Sequence, residues 1–167
     1  ELLCDNLKEE GKKYDVIIPW FIMTSRENNA ATIEFFEKHK YFGYQKDKNL
    51  FFFEQGELPM VDTEGKILIG EDGLIKEAAD GHGGIYESLV KSGMTKRMRN
   101  MGIEWVFIGG VDNCLVKMVD PTLIGLAESK GILAAGKSVV KAGPHEKVGV
   151  FCKRNGRPSV IELSLIH

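Results

Sequence analysis

Segments with apolar residues at helical spacing alternate along the chain with short, continuous apolar runs. The first kind predicts amphipathic helices, and the second predicts buried strands. The predicted helices cover residues 2–11, 30–40, 85–92, 94–101 and 121–130. The predicted strands cover residues 15–18, 50–53, 105–108, 148–153 and 158–163. This alternation of helices with strands favours a layered α/β fold.

Turn-forming residues mark the boundaries of these segments. Glycine can take the left-handed conformation that ends a helix, and glycines close four of the predicted helices: Gly11, Gly93, Gly102 and Gly131. Asn155 and Gly156 separate the last two strands, which indicates a hairpin. Residues 66–69 and 73–76 flank another turn and predict an antiparallel excursion. The sheet is therefore predicted to be mixed, with parallel strands linked by helices and antiparallel hairpins.

Composition restricts the classes of function. Of the 167 residues, 43% are hydrophobic and 28% are charged, so the chain can bury a sizeable core and is predicted to form one compact unit. Lysine and arginine number 22 against 24 aspartate and glutamate, a net charge of −2. This balance argues against a nonspecific nucleic-acid or membrane surface. No apolar run approaches the roughly 20 residues that cross a bilayer.

The cysteines and the first residue add two expectations. Cys4, Cys114 and Cys152 are widely spaced and form no Cys-x-x-Cys pair, so neither a disulfide framework nor a structural zinc site is expected. This usage favours the reducing cytoplasm. The chain begins with Glu1 instead of methionine, and we expect it to be a piece of a longer protein.

A polar, glycine-dense loop at residues 80–84 precedes the third predicted helix. Glycine lets a backbone approach a ligand closely, and N–H groups at the start of a helix attract anions. The same residues also suit a tight surface turn capped by Asp80. The residues alone therefore allow two interpretations, a loop that binds a phosphorylated ligand and a plain turn.

Gln55 and Asp112 offer chemistry that a nucleotide site would use. The Gln55 amide has a donor and an acceptor, which is the pair needed to read a pyrimidine edge, and Gly56 leaves room beside it. Asp112 follows a predicted strand, where a carboxylate can hold Mg²⁺ against a phosphate. Both residues are equally at home in solvent-exposed turns.

Four short strings in register give the chain a recognisable pattern. They are Pro-Trp-Phe-Ile-Met-Thr-Ser at 19–25, Phe-Glu-Gln-Gly-Glu-Leu-Pro at 53–59, Asp-Gly-His-Gly-Gly-Ile-Tyr at 80–86 and Gly-Val-Asp-Asn at 110–113. Together they resemble the eukaryotic-type UTP:sugar-1-phosphate uridylyltransferases, above all the UDP-N-acetylglucosamine pyrophosphorylase branch. Residues 148–150 and 160–162 extend the resemblance over nearly the whole chain. It implies a Rossmann-like, GT-A-like nucleotidyltransferase fold of three layers, with a mixed sheet and antiparallel hairpin excursions, here truncated.

The resemblance also implies roles for particular residues. It assigns Gln55 to uracil, Gly81 to the nucleotide, and Asp112 to the nucleotide site with Mg²⁺ as the expected cofactor. It assigns His82 and Glu162 to the sugar, since a histidine can donate to a hydroxyl and a carboxylate can accept from two. Glu162 also fits an outward-facing position in an alternating strand. No residue is assigned as a nucleophile or a general base.

The chain departs from the family pattern in three places. His82 stands where the N-acetylglucosamine enzymes have asparagine, and its Gly-His-Gly context resembles the UDP-glucose enzymes. Residues 162–165 read Glu-Leu-Ser-Leu where the family has Glu-Tyr-Ser-Glu. Nothing before Asp15 resembles the glycine-rich loop that embraces the UTP phosphates. We therefore expect the central part of a catalytic domain, which is inert when isolated.

The reaction that the resemblance implies joins UTP to a sugar-1-phosphate, giving a UDP-sugar and pyrophosphate. The strings at 19–25 and 111–113 favour an N-acetylhexosamine-1-phosphate, and His82 favours glucose-1-phosphate as the alternative. A non-catalytic remnant that binds nucleotide-sugars is the alternative from another class, and it is favoured by the missing phosphate loop. A generic dinucleotide-binding domain fits poorly, because no Gly-x-Gly-x-x-Gly follows a first strand.

Overall fold

The computed structural model describes residues 1–143, 145–146 and 148–162, with the side chain of Glu162 outside that description. Its α-helices are α1 (Leu2–Lys13), α2 (Asn29–Lys38), α3 (Ile85–Lys91), α4 (Met94–Asn100) and α5 (Pro121–Ser129). Its strands are β1 (Trp20–Thr24), β2 (Leu50–Glu54), β3 (Glu57–Pro59), β4 (Glu77–Ala79), β5 (Gly149–Arg154) and β6 (Arg157–Glu162). Short 3₁₀ turns cover Lys40–Gly43 and His82–Gly84.

The chain divides into two compact units, Glu1–Asp120 and Pro121–His167. Composition had predicted a single unit, and composition cannot show where contacts along a chain become sparse. The first unit contains α1 to α4 and β1 to β4, and the second contains α5 and the β5–β6 pair. Across the described residues, no helix has the length and apolar character needed to span a bilayer.

A parallel pair of strands forms the centre of the first unit. β1 and β2 pair in register from Trp20 opposite Leu50 to Thr24 opposite Glu54, and α2 lies in the connection between them. Successive side chains of a strand point to opposite faces. Trp20 and Ile22 accordingly pack on one apolar cluster, and Phe21 packs on the other.

Helices cover both faces of this pair. The first cluster joins Cys4 of α1, Phe36 of α2 and Leu50 of β2. The second joins Phe53 of β2, Leu89 of α3 and Met98 of α4. The first unit is therefore layered as helices, strands and helices, and it places the carboxyl ends of both parallel strands side by side.

Several predicted boundaries are confirmed. Gly93 and Gly102 follow α3 and α4 with φ of 76° and 70°, the left-handed conformation expected of a glycine that ends a helix. Asn155 and Gly156 have φ of 52° and 77° between β5 and β6, as a two-residue hairpin requires. The excursion between β3 and β4 contains the antiparallel bridge from Ile69 to Ile75.

Two predictions near the first strand are wrong. Residues 15–18 are not a strand; the N–H of Val16 donates to the carbonyl of Gly11 (2.9 Å), which folds the chain back after α1, and the strand begins only after Pro19. Gly11 lies inside α1 instead of ending it. A Cβ at Gly11 would overlap the Val16 carbonyl, so this glycine permits a close approach of two backbone segments.

A third error concerns residues 105–108, which were predicted to form a buried strand. They belong to no strand in the described residues, and Val106, Phe107 and Ile108 are 48%, 38% and 45% exposed. A strand requires a hydrogen-bonded neighbour as well as apolar residues. The described residues contain both parallel and antiparallel pairs, but these form three separate two-stranded sheets, one parallel and two antiparallel, instead of the single mixed sheet that was predicted.

Candidate nucleotide site

Gln55 lies directly after β2, at the carboxyl end of the parallel pair. Its backbone N–H donates to the carbonyl of Thr24 (2.8 Å), which continues the ladder one residue beyond the strands. Its side-chain Nε2 donates to the carbonyl of Gly81 (2.8 Å), across 26 positions of sequence. The structure thus brings together the Gln55 string and the glycine loop, which the sequence analysis had placed separately in a nucleotide site.

Gly81 has φ of 83° and ψ of 173°, a region that is essentially restricted to glycine. The 3₁₀ turn His82–Gly84 follows and leads into α3, and the Gly84 N–H donates to the Gly81 carbonyl (3.0 Å). The Gly81 carbonyl therefore accepts two hydrogen bonds, one from the loop itself and one from Gln55. The loop is a defined structure and not merely a link between β4 and α3.

Asp80 joins the loop to Gly56, the residue that follows Gln55 after the end of β2. Its N–H donates to the Gly56 carbonyl (3.0 Å), while the Gly56 N–H donates to the hydroxyl of Ser88 on α3 (3.1 Å). The Asp80 carboxylate lies against Gly56 and Gly84 so closely that a Cβ on either glycine would overlap it. Its Oδ1 is buried and has no hydrogen-bond partner among the described residues.

A chain of polar contacts lies beside Gln55. The hydroxyl of Thr24 donates to Oδ1 of Asn29 (2.8 Å), and Nδ2 of Asn29 donates to Oε1 of Glu54 (2.9 Å). An open groove of about 510 Å³ runs along this edge, lined in part by Asn29, Glu54, Gln55, Gly56, Ser88 and Lys91. Lys91 at the margin of the groove pairs with Glu87 (2.7 Å); this hydrogen bond raises the pKa of Lys91, and the negative charge of Asp80 adds to that rise.

Sequence reasoning missed part of this site. Asp80 was considered only as the cap of a turn, and neither Asn29 nor Ser88 was considered as a site residue. The contacts of Asp80 and Ser88 with Gly56 join residues more than 20 positions apart, and no local sequence pattern predicts such contacts. The available signal was the position of Asp80 at the start of the loop, together with Gly56 directly after Gln55.

The remaining predicted site residues are not joined to this cluster by the described contacts. His82 is exposed in the 3₁₀ turn. Asp112 is exposed in a turn that the Cys114 N–H closes onto the Asp112 carbonyl (3.2 Å). Because residues 105–108 are not a strand, the position of Asp112 at a strand end is not supported. Glu162 ends β6 opposite Gly149 in the second unit, and its side chain lies outside the described residues.

Metal-binding potential is limited in the part of the chain that the structure describes. No group of three histidine, cysteine, aspartate or glutamate side chains there could hold a metal ion. Asp112 remains an exposed single carboxylate. Mg²⁺ commonly uses only one or two protein carboxylates beside substrate phosphates and waters. The donor chemistry of Asp112 therefore fits a shared site of that kind.

The whole chain, residues 1–167, matches the protein family described as UTP–glucose-1-phosphate uridylyltransferase, and the chain belongs to this family. It is 42% identical over 151 residues to the probable UDP-N-acetylglucosamine pyrophosphorylase of Schizosaccharomyces pombe, covering 90% of this chain and 32% of that protein. It is 42% identical over 164 residues to UDP-N-acetylglucosamine diphosphorylase 1 of Arabidopsis thaliana, covering 97% of this chain and 32% of that protein. The family resemblance inferred from the four strings is confirmed.

Solved structures agree with these sequence relatives. The UDP-N-acetylglucosamine pyrophosphorylase of Trypanosoma brucei, solved in complex with an inhibitor, matches with a TM-score of 0.86 at 30% identity, over 98% of this chain and 35% of that one. The putative UDP-N-acetylglucosamine pyrophosphorylase of Entamoeba histolytica matches with a TM-score of 0.82 at 32% identity, over 99% and 43%. The α/β architecture is thus shared with pyrophosphorylases. The chain spans about a third of the length of its curated relatives.

Proposed function

We propose that this chain is the central part of the catalytic domain of a uridylyltransferase, which joins UTP to a sugar-1-phosphate and releases pyrophosphate. The observation that carries the proposal is the hydrogen bond from Gln55 to Gly81 at the carboxyl ends of the parallel strands. Open α/β sheets bind ligands at that edge. The names of the relatives supply the reaction. We propose a Rossmann-like, GT-A-like three-layer fold with a mixed sheet for the catalytic domain, of which this chain is a truncated part.

The orientation of Gln55 suits it to reading uracil. One N–H of Nε2 is engaged by the Gly81 carbonyl, which leaves the second N–H as a donor and Oε1 as an acceptor for a ligand. Uracil presents an N3–H donor next to carbonyl acceptors, so the two patterns are complementary. Cytosine presents an acceptor at N3, and Oε1 would then face another acceptor. A buried mismatch of that kind is what lets a polar site reject a wrong ligand.

The glycine loop and Asp112 are proposed to serve the phosphates. Gly81 exposes its backbone without a side chain, so a nucleotide can approach it closely. Asp112 would supply one carboxylate oxygen to Mg²⁺ held between the protein and the UTP phosphates. When bound, Mg²⁺ would neutralise part of the phosphate charge.

His82 and Glu162 are proposed to bind the sugar. The exposed ring of His82 follows Gly81 directly and offers a donor to a hydroxyl or phosphate oxygen. Glu162 would accept from adjacent hydroxyls. The relatives named above favour an N-acetylhexosamine as the sugar, and His82 favours glucose as the alternative substrate.

The reaction depends more on the alignment of its two substrates than on reactive side chains. An oxygen of the sugar-1-phosphate attacks the α-phosphorus of UTP, and the bond from that phosphorus to the bridging oxygen breaks as pyrophosphate leaves. Holding two anions in line and neutralising their charge accounts for most catalysis of this class. Gln55, Gly81 and His82 therefore act as binding residues, and none of them forms a covalent intermediate.

The longest natural protein that contains this chain provides the test. We expect it to release pyrophosphate from UTP with a sugar-1-phosphate, in an assay that compares N-acetylglucosamine-1-phosphate, N-acetylgalactosamine-1-phosphate and glucose-1-phosphate. Turnover with none of them would contradict the proposal. Tight binding of a UDP-sugar without turnover would instead support a non-catalytic nucleotide-sugar-binding protein.

A further inference from the structure

The Asp80 carboxylate accounts for the presence of glycine at two positions, 56 and 84, where the backbone conformation does not require it. Gly84 has φ of −61° and ψ of −15°, which any residue adopts, and Gly56 is likewise outside the left-handed region. Yet a Cβ on either glycine would overlap the Asp80 carboxylate. Gly81 differs, because its φ of 83° itself requires glycine. The absence of a side chain at Gly56 and at Gly84 is therefore what leaves room for the Asp80 carboxylate.

The carboxylate lies between the two segments that form the proposed uracil contact. Gly56 is the residue after Gln55, and Asp80 is the residue before Gly81. The Asp80 N–H also bonds the Gly56 carbonyl (3.0 Å), so main chain and side chain bridge the same gap. The side chain of residue 80 therefore occupies space next to both Gly56 and Gly84.

Stability of the fold alone does not account for an aspartate here. Its Oδ1 is buried with no hydrogen-bond partner in the described structure. A buried acceptor without a donor is unfavourable, and native proteins contain few of them. An unfavourable group that lies beside the proposed ligand site is more simply explained by what it does for that site.

We propose that Asp80 is a positioning and specificity-determining residue of the uridine site, because its carboxylate spaces the strand end that carries Gln55 from the loop that carries Gly81. The inference rests on the proposed function. Asp80 acts through Gln55, whose amide is oriented only while the Gly81 carbonyl stays within hydrogen-bond distance. Shape, not charge, is the property that performs this role.

The test uses the longest natural protein containing the chain, with the KM for UTP, kcat, and the ratio of kcat/KM for UTP to that for CTP as readouts. Asp80→Ala is expected to raise the KM for UTP by up to about tenfold and to lower the UTP preference, with kcat within about twofold. Asp80→Asn keeps the shape and is expected to retain both values. Gly84→Ala, which pushes against the carboxylate, is expected to raise the KM, and Asp80→Ala in the same protein is expected to relieve that defect in part.

Asp72 supplies a matched control in the excursion between β3 and β4. Its Oδ1 lies so close to Gly70 that a Cβ there would overlap it, but it accepts the Leu74 N–H (3.0 Å) away from Gln55. Asp72→Ala is expected to leave the KM for UTP and the UTP preference unchanged. Because Asp80 acts through Gln55, the pair Asp80→Ala with Gln55→Ala is expected to be no worse than Gln55→Ala alone.

The outcomes separate the inference from the function it rests on. If the unsubstituted protein neither turns over nor binds UTP, the proposed function fails and the inference fails with it. If the unsubstituted protein is active but Asp80→Ala lowers kcat at an unchanged KM and UTP preference, Asp80 is merely structural and only the inference is overturned. Equal defects in the alanine and asparagine variants would also overturn it, since shape would then not be the property that matters.

Discussion

At the scale of single residues, the site depends on a glutamine whose side chain is oriented by another segment of the chain. The Gly81 carbonyl engages one N–H of the Gln55 amide and so decides which end of the amide faces a ligand. Asp112 is exposed and has no such constraint in the described contacts. The two residues should therefore fail in different ways when they are removed.

Gln55→Ala and Asp112→Ala are expected to separate base reading from phosphate positioning in the full-length protein. Loss of Gln55 should raise the KM for UTP by about tenfold and relax discrimination against other nucleoside triphosphates, while the Mg²⁺ requirement stays the same. Loss of Asp112 should lower kcat by about a hundredfold or more and raise the Mg²⁺ requirement whatever the base. Steady-state kinetics across nucleotides and Mg²⁺ concentrations measure both, and identical defects would contradict the assignment.

His82→Asn is expected to change the choice of sugar more than the rate. One hydrogen bond gained or lost at a sugar hydroxyl changes kcat/KM by up to about tenfold. We therefore expect the ratio of kcat/KM for N-acetylglucosamine-1-phosphate to that for glucose-1-phosphate to rise. The kcat for whichever sugar-1-phosphate the unsubstituted protein turns over faster should change little. An unaltered ratio would show that His82 is an ordinary loop residue.

The site could be predicted from sequence only as far as its recognisable strings. Gln55 and the loop at 80–84 were found because their strings resemble a family, and the structure brings them into contact. The packing of Asp80 against Gly56 was not predicted, because aspartate before a glycine-rich loop is equally typical of a plain turn. The role of Asp80 depends on Gly56, which lies 24 positions away in sequence, and only the fold brings two such residues into contact.

At the scale of elements, replacing glycine by alanine should change the free energy of unfolding in opposite directions in a turn and in a helix. Gly156 has φ of 77° in the turn between β5 and β6, so Gly156→Ala should lower the free energy of unfolding by about 1–2 kcal/mol. Gly125 lies exposed inside α5 with open space around it, so Gly125→Ala should raise it by about 0.5–1 kcal/mol. Urea denaturation of both variants measures this, and a change of the same sign in both would contradict it.

Helix ends were predicted better than strands. The helix terminations at Gly93 and Gly102 are set locally by glycine in the left-handed conformation, so the sequence nearby suffices. Residues 15–18 and 105–108 have the composition of strands, but pairing is decided by a partner elsewhere. Residues 15–18 serve instead as the return after α1, and residues 105–108 belong to no strand in the described part of the chain.

At the scale of the whole molecule, the chain represents about a third of its curated relatives. We expect the isolated chain to fold but to form no UDP-sugar, since the family's glycine-rich triphosphate loop has no counterpart in it. Exposed apolar side chains at Val106, Phe107 and Ile108 should also make it prone to self-association. Mg²⁺-dependent UDP-sugar formation by the purified chain, above the level of host enzymes, would contradict the first expectation, and size-exclusion chromatography tests the second.

Because Cys4 is buried, the rate at which its thiol is labelled reports how fast the first unit opens locally. Its thiol is fully buried among Phe36, Tyr44 and Leu50, and burial raises its pKa, so little reactive thiolate reaches solvent while α1 is in place. In a chain with Cys114→Ser and Cys152→Ser, modification of Cys4 by a thiol reagent should proceed only when α1 separates from β2. The labelling rate at saturating reagent would then equal the rate at which α1 detaches, a local event that equilibrium unfolding averages away.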